Sequence, residues 1–407
     1  MADEGRFTLH YITDFLLGSK TANIVAKIEM AKAFCKLDQT EKLYFYNLVE
    51  SKEVLESFHL TDISEKLIVK PLLAKGYDAK ILPSRSFWSF CYEFIFVSPK
   101  VLLRAFLLAL TLKKTSKVYI RALESLFGFY LGSFITNAKF AFEQDSFSFG
   151  EFRTADFLFR KIIKRAKFIV TISEYTKSNW VNNGIPESKI IVLPSGVNIE
   201  DFNSINKGTD QLRKELGLAN DKKIITYAGG LYENRGIEEL LYCASKYEDY
   251  LFLFLGGTEE HIKRYKSYIQ SQFQRQLPNV IFRGYVKHDM VASYLKASDI
   301  LAAPYSKKIK TVHHMSPIKL IEYIASKVPV IASDLPRMRD IASEDEVTFF
   351  QPDNSNDLLE KIAAVFDNYE QARSKALKAY EKAKNLTWDK RAEKIVNLLQ
   401  NRPNQRR

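Results

Sequence analysis

The stretch HHMSPIKLIEYIASKVPVIASDLP, residues 313–336, reads as loop, helix, turn and buried strand. Ser316 suits the N-cap and Pro317 the first helical position, which leaves the amides of Ile318, Lys319 and Leu320 without intrahelical partners. With the helix dipole and the Lys319 ammonium behind them, these amides form a site for a diphosphate. Glu322 follows about one turn later, where its carboxylate can accept hydrogen bonds from both hydroxyls of a ribose. The same residues also fit a well-capped core helix with a surface glutamate. The strand that follows, PVIASD, is nearly all apolar, as a parallel strand covered on both faces by helices must be.

That pairing of helix and apolar strand recurs outward in both directions. IITYAG, YLFLFLGG, VIFRGY, ILAAPY and VTFF lie in the same half; FTLHYI, KLYFYNLV, KVYIRAL, AKFAFEQ, FIVTIS and IIVLPS lie in the other. Helical spacing separates them, with Ile24, Ile28, Ala31 and Cys35 on one side of a helix and Ile237, Leu240, Leu241 and Ala244 on another. Alternating elements of this kind predict an α/β chain with doubly wound parallel sheets. At 407 residues, 46% of them apolar, two Rossmann-like domains are expected, with a cleft between them. The polar stretch 198–223 is the seam, which gives domains at 1–198 and 199–385 and a final segment at 386–407.

A second anion site is read in YAGGLYENRGIEELL, residues 227–241. Gly229 and Gly230 let a ligand approach the backbone closely, and Arg235 adds a planar, permanent charge just before a helix that begins near Gly236. A tight turn with a solvent-facing arginine is the plainer alternative. Two such sites at strand ends of one sheet point to a ligand at its carboxyl edge.

Composition narrows the classes. Cys35, Cys91 and Cys243 match no zinc or CxxC spacing and read as buried thiols in a reducing compartment. There is no HExxH or GxSxG motif, and Glu143 to Asp145 is no clear metal-binding DxD, so no metal is expected. No basic-then-apolar leader precedes the first strand, and the longest apolar stretch, 101–112, is short and contains Arg104; a cytoplasmic chain is expected. The net charge is +12, and residues 98–167 hold 13 Lys or Arg against 5 Asp or Glu. Such a surplus suits anionic lipid, nucleic acid or a phosphorylated substrate, or belongs to solvated helix faces. No nucleic-acid recognition module is present, and an anionic membrane surface is a candidate partner through two stretches that mix apolar and basic residues, 100–114 and 157–165. The apolar residues of both also fit packing on the first sheet, which is the expected outcome for 100–114.

From residue 168 to about 364 the chain resembles the retaining glycosyltransferases of family 4, in VTISEYTKSNWVNNGIPESKIIVLPSGVNIEDF, the GG-x4-RG turn, LFLFLGG, NVIFRGYV, ASDILAAPYS and SPIKLIEYIASKVPVIASDLP. LTWDKRAEKIVNLL is similar to the family's helix that crosses back to the first domain. The resemblance implies the GT-B fold and a retaining, metal-independent hexosyltransferase with no cofactor. It implies a nucleotide-sugar donor, UDP- or GDP-linked, and a glycan or lipid-linked acceptor, as in surface polysaccharide or glycoconjugate assembly. Glu322 takes the place of the family's ribose-binding glutamate. His314 stands where relatives carry another glutamate that contacts the transferred sugar. Arg235 matches a basic position, usually lysine, and Gly230 stands where some members have arginine. The resemblance also draws Gly257, Tyr285, Val286, Ser316 and Pro317 into donor binding, with Gly18 and Ser19 as the glycine loop facing the phosphates. AKFAFEQDSFS resembles an acceptor segment that often ends in Glu-x-His; Glu143 matches it and Asp145 replaces the histidine. These replacements also fit a non-catalytic member that binds a nucleotide sugar or a partner.

Overall fold

The computed structural model describes residues 6–13, 22–47, 64–72, 98–113, 115–144, 153–309, 312–313 and 315–400. The chain divides into two compact units, Met1–Pro194 with Trp388–Arg407, and Ser195–Thr387.

The first unit is built on seven parallel strands: β1 (Phe7–Thr13), β2 (Thr40–Asn47), β3 (Leu67–Pro71), β4 (Lys117–Arg121), β5 (Ala141–Glu143), β6 (Ile169–Thr171) and β7 (Ile190–Val192). Their order is β3-β2-β1-β4-β5-β6-β7. Tyr11 is in register with Phe45 on one side and Tyr119 on the other. That register stacks the three rings across the sheet, with centroids 5.3 and 5.6 Å from Tyr11. Ile24, Ile28, Ala31 and Cys35 are all buried on the helix Ala22–Lys36, as their spacing predicts. Strand β3 was not expected from the sequence. It is an edge strand of five residues that ends in proline, so it lacks the unbroken apolar run that marks the central strands. The helix Trp388–Gln400 belongs to this unit and buries Trp388, Ala392, Ile395, Val396 and Leu399.

The second unit carries six parallel strands: β8 (Ile224–Ala228), β9 (Leu251–Leu255), β10 (Val280–Gly284), β11 (Ile300–Ala303), β12 (Val330–Ser333) and β13 (Thr348–Phe350). Their order is β10-β9-β8-β11-β12-β13. All five residues of β9 are buried, which accounts for the uninterrupted apolar LFLFL. The chain winds outward from β8 in one direction and from β11 in the other, so the carboxyl ends of these two neighbours flank the switch point where open α/β sheets bind ligands. Cys35 and Cys243 are buried free thiols, and burial pushes both up to about 12. Cys91 lies outside the described residues. Among those residues no helix is long and apolar enough to cross a membrane.

Candidate functional site

The site assembles at the carboxyl ends of β8 and β11. After Ala228 the chain turns through Gly229 at φ 146°, a region that glycine occupies without strain. The Gly229 N–H donates to the Leu255 carbonyl (2.8 Å), and the Gly256 N–H donates to that of Gly284 (2.6 Å), which ties the ends of β8, β9 and β10 together. A side chain at Gly229 would place its Cβ 2.8 Å from Lys319 Nζ, so the lysine lies directly over the glycine backbone. Gly236, at φ 73°, precedes the helix Ile237–Lys246. A Cβ there would fall 1.7 Å from the Pro304 carbonyl oxygen, so only glycine permits this close approach of the β8 turn to the loop after β11.

Two cations converge on an aromatic floor. Lys319 Nζ stands 3.4 Å from the centroid of the Tyr227 ring and 5.1 Å from that of Tyr305. Arg235 Cζ lies 4.9 Å from the Tyr305 centroid. The faces of both buried rings are electron-rich and partly replace the water that the cations have lost. Burial, reinforced by the Arg235 charge and opposed by Glu322, holds the Lys319 ammonium well below the usual lysine range. The site therefore has a standing deficit of negative charge, which a diphosphate would supply.

The helix Ile318–Ala325 starts one residue later than expected. Pro317 occupies the N-cap, and no side chain caps the helix. Ser316 Oγ instead accepts the Ser195 N–H at 2.9 Å. The Ile318 N–H is taken by the Ser316 carbonyl (2.8 Å), so of the three amides expected to be open only those of Lys319 and Leu320 remain so among the described residues. Glu322 is half-buried one turn along the same face as Lys319. Burial raises its carboxyl above the ordinary range, with Asp201 adding to the rise and His288 and Lys319 pulling against it. Within the described residues its carboxylate carries no hydrogen bond or ion pair, so both oxygens are open acceptors.

Gly257 (φ 81°) follows β9 and backs onto Leu231. Gly230 lies beside the Tyr232 ring, and its carbonyl accepts the Tyr227 hydroxyl at 2.9 Å. After β10, Tyr285 is 60% exposed while Val286 packs against the cluster around Leu212 and Leu218. The structure thus gathers Gly229, Arg235, Lys319 and Glu322 at one sheet edge and sets Tyr285 outward. Gly18, Ser19, Asp145 and His314 lie outside the described residues.

Glu143 has a different setting. It ends β5 in the first unit, fully buried, with Oε1 3.0 Å from Arg121 and Oε2 2.9 Å from Arg391. The Tyr119 hydroxyl also donates to Oε2. Arg391 further donates to the Leu193 and Pro194 carbonyls (3.3 and 3.0 Å). The carboxylate is the hub of an ion network that fastens the last helix to the sheet.

Tyr227, Tyr305 and Tyr323 are the residues that sequence reasoning missed. The Tyr323 hydroxyl accepts the Ala228 N–H at 2.8 Å and so sets where β8 ends. Tyr227 and Tyr305 each lie next to a strand end, yet nothing local distinguishes a tyrosine that supports a cation from one that fills a core.

Residues 208–386 match the family model described as glycosyl transferases group 1. The processive diacylglycerol alpha-glucosyltransferase of Acholeplasma laidlawii is 22% identical over 171 residues, which is 42% of this chain and 49% of that one. The chain spans about half the length of the curated relatives it matches. Among solved structures, a glycosyltransferase from Rickettsia africae ESF-5 superposes with a TM-score of 0.76 at 18% identity, covering 97% of this chain and 98% of that one. Anabaena Alr3699/HepE in complex with UDP superposes with a TM-score of 0.72 at 15% identity, covering 97% and 100%. These likenesses show the fold, GT-B, with two Rossmann-like parallel-sheet units.

Proposed function

We propose, on the premise that the second unit of this chain belongs to glycosyl transferases group 1, that the protein moves a hexose from a nucleotide-sugar donor to a glycan or lipid-linked acceptor with retention of configuration. The observation that carries the reading is the pairing of two cations, Lys319 and Arg235, with the open carboxylate of Glu322 at the switch point of the second sheet. The cations suit a diphosphate and the carboxylate suits a ribose. A UDP donor draws support from the UDP held by the Anabaena structure, and a lipid-linked acceptor from the diacylglycerol substrate named for the Acholeplasma relative.

In the proposed reaction the bond between the anomeric carbon and the diphosphate oxygen breaks, with its electron pair leaving on the diphosphate. The acceptor hydroxyl oxygen bonds to the same face of that carbon, and its proton passes to the departing phosphate oxygen. Arg235, Lys319 and the amides of Lys319 and Leu320 meet the charge that develops on the leaving group. One well-placed donor of this type is worth about 3 kcal/mol. Because these groups supply the positive charge, the proposal needs no metal. Glu143 acts through Arg121 and Arg391, by holding the acceptor unit in shape.

The test is a thermal-shift and turnover screen of UDP-, GDP-, CMP- and dTDP-sugars on the full chain. At 100 times its dissociation constant the right donor adds about 2.7 kcal/mol of stability. Stabilisation by no nucleotide sugar would sink the reading. Stabilisation without transfer or hydrolysis would instead assign the chain to the non-catalytic binders of this fold.

A further inference from the structure

The first unit exposes six large apolar side chains among its described residues, and five of them stand on two helices, Ser98–Thr111 and Leu123–Thr136. They are Leu103, Leu107, Leu131, Phe134 and Ile135, each roughly half exposed or more, with Ile135 at 71%. The helices lie against each other along glycines. A Cβ on Gly128 would fall 2.1 Å from the Leu102 carbonyl oxygen and one on Gly132 2.7 Å from that of Phe106, and Thr136 Oγ1 donates to the Ala109 carbonyl at 3.1 Å. This approach follows from the GxxxG spacing and fixes the two exposed faces side by side. Both helices belong to crossovers that advance the same way along the sheet, β3 to β4 and β4 to β5. The right-handed rule puts both on one face of it.

Charge accompanies the apolar patch. At 100° per residue, Leu103, Leu107, Lys100 and Arg104 occupy adjacent positions on the solvent side of the first helix, which contains no acidic residue. Beyond the second helix stands exposed Lys139. Arg165, from the helix Arg153–Arg165, sets its guanidinium 4.4 Å from the Phe134 ring and bonds the Ser133 carbonyl at 2.6 Å; exposed Lys164 is its neighbour. An apolar centre with basic residues on both flanks has the chemistry of a surface that enters an anionic bilayer interface. In the mixed stretch 157–165, by contrast, Phe159, Ile162 and Ile163 are buried in the core and cannot reach a membrane. We propose that the paired helices Ser98–Thr111 and Leu123–Thr136 dock the protein on anionic lipid, with Leu103, Leu107, Leu131, Phe134 and Ile135 in the interface and Lys100, Arg104, Lys139 and Arg165 against the headgroups.

Flotation of the full chain with phosphatidylcholine vesicles, with and without phosphatidylglycerol, at low and high salt, tests this without any sugar transfer, so it stands or falls apart from the donor chemistry. The protein is expected to float with the anionic vesicles and to be weakened by salt. The exposed-site variant Leu107→Ser/Leu131→Ser/Ile135→Ser, its melting temperature unchanged, should lose partitioning by about tenfold or more. Lys100→Glu/Arg104→Glu should lose at least about fivefold per residue, in the anionic vesicles only. The proposal is overturned if the wild-type chain stays unbound, if the variants float as it does, or if the leucine variants abolish a concentration-dependent dimer, which would give the patch to a second copy of the chain.

Discussion

The ammonium of Lys319 rests 3.4 Å from the centre of the Tyr227 ring, and burial together with Arg235 holds it well below the usual lysine range. A donor diphosphate brings negative charge that favours the ammonium, so binding is expected to take up a proton wherever the unliganded lysine is neutral. Above the lowered value, donor affinity should therefore fall with rising pH, by up to about tenfold per pH unit. Titration calorimetry in buffers of different ionisation enthalpy measures the uptake directly. Lys319→Met should abolish it and weaken binding by about 1.5–3 kcal/mol.

Glu322 predicts the opposite limb. Burial raises its carboxyl, so the acceptor oxygens are present above the raised value and are lost as pH falls through it. Donor affinity should drop on the acid side as well, giving a bell-shaped profile. Glu322→Gln should leave the fold intact, cost about 1–2 kcal/mol of donor affinity and flatten the acid limb, and a binding series across pH decides this. An unchanged profile would remove Glu322 from the site.

Arg235 is expected to matter most as the diphosphate leaves. Arg235→Ala should lower kcat by about a hundredfold while donor affinity falls less. The loss of its charge should also let the Lys319 ammonium rise, moving the alkaline limb to higher pH. Equal losses in kcat and affinity would contradict a role in the departing charge.

Replacement of Gly236 tests the backbone of the site. Alanine would meet the Pro304 carbonyl while held at a positive φ, and the turn must shift. A loss of about 1–3 kcal/mol is expected in urea unfolding, with weakened donor binding because Arg235 is displaced along with the turn.

Arg391 belongs to the first unit, and its replacement should act on stability. Arg391→Ala leaves Glu143 buried with one guanidinium in place of two, at an expected cost of about 3–5 kcal/mol. Denaturant unfolding of the full chain measures it.

The candidate site is readable in the sequence because its chemistry is local. A helix start with Ser-Pro, a lysine in the first turn and a glutamate three residues later can be recognised in one short segment, and so can two glycines and an arginine after an apolar strand. What was unreadable depends on distant partners. Ser316 reads as a cap until Ser195 claims its hydroxyl, and the helix then begins after Pro317. Glu143 reads as part of an acceptor segment, and only the fold shows Arg121 and Arg391 enclosing it. Tyr305 reads as one more aromatic at a strand end until Arg235 and Lys319 settle against its face. The parallel sheets came through for the same reason that β3 did not. Central strands buried on both faces must be apolar throughout, whereas an edge strand has less to bury.

The pairing of Glu143 with Arg391 also sets an order on biosynthesis. The residues up to Pro194 emerge before the second unit, yet their buried carboxylate and the groove for Trp388 and Ile395 stay incomplete until the second unit and the helix after it have been made. The nascent amino-terminal sheet must wait, with apolar surface uncovered, while the second unit is synthesised and closes on itself. Emergence of the Trp388–Gln400 helix is then the event that completes the first core, and chains cut short before Trp388 carry an unfinished one.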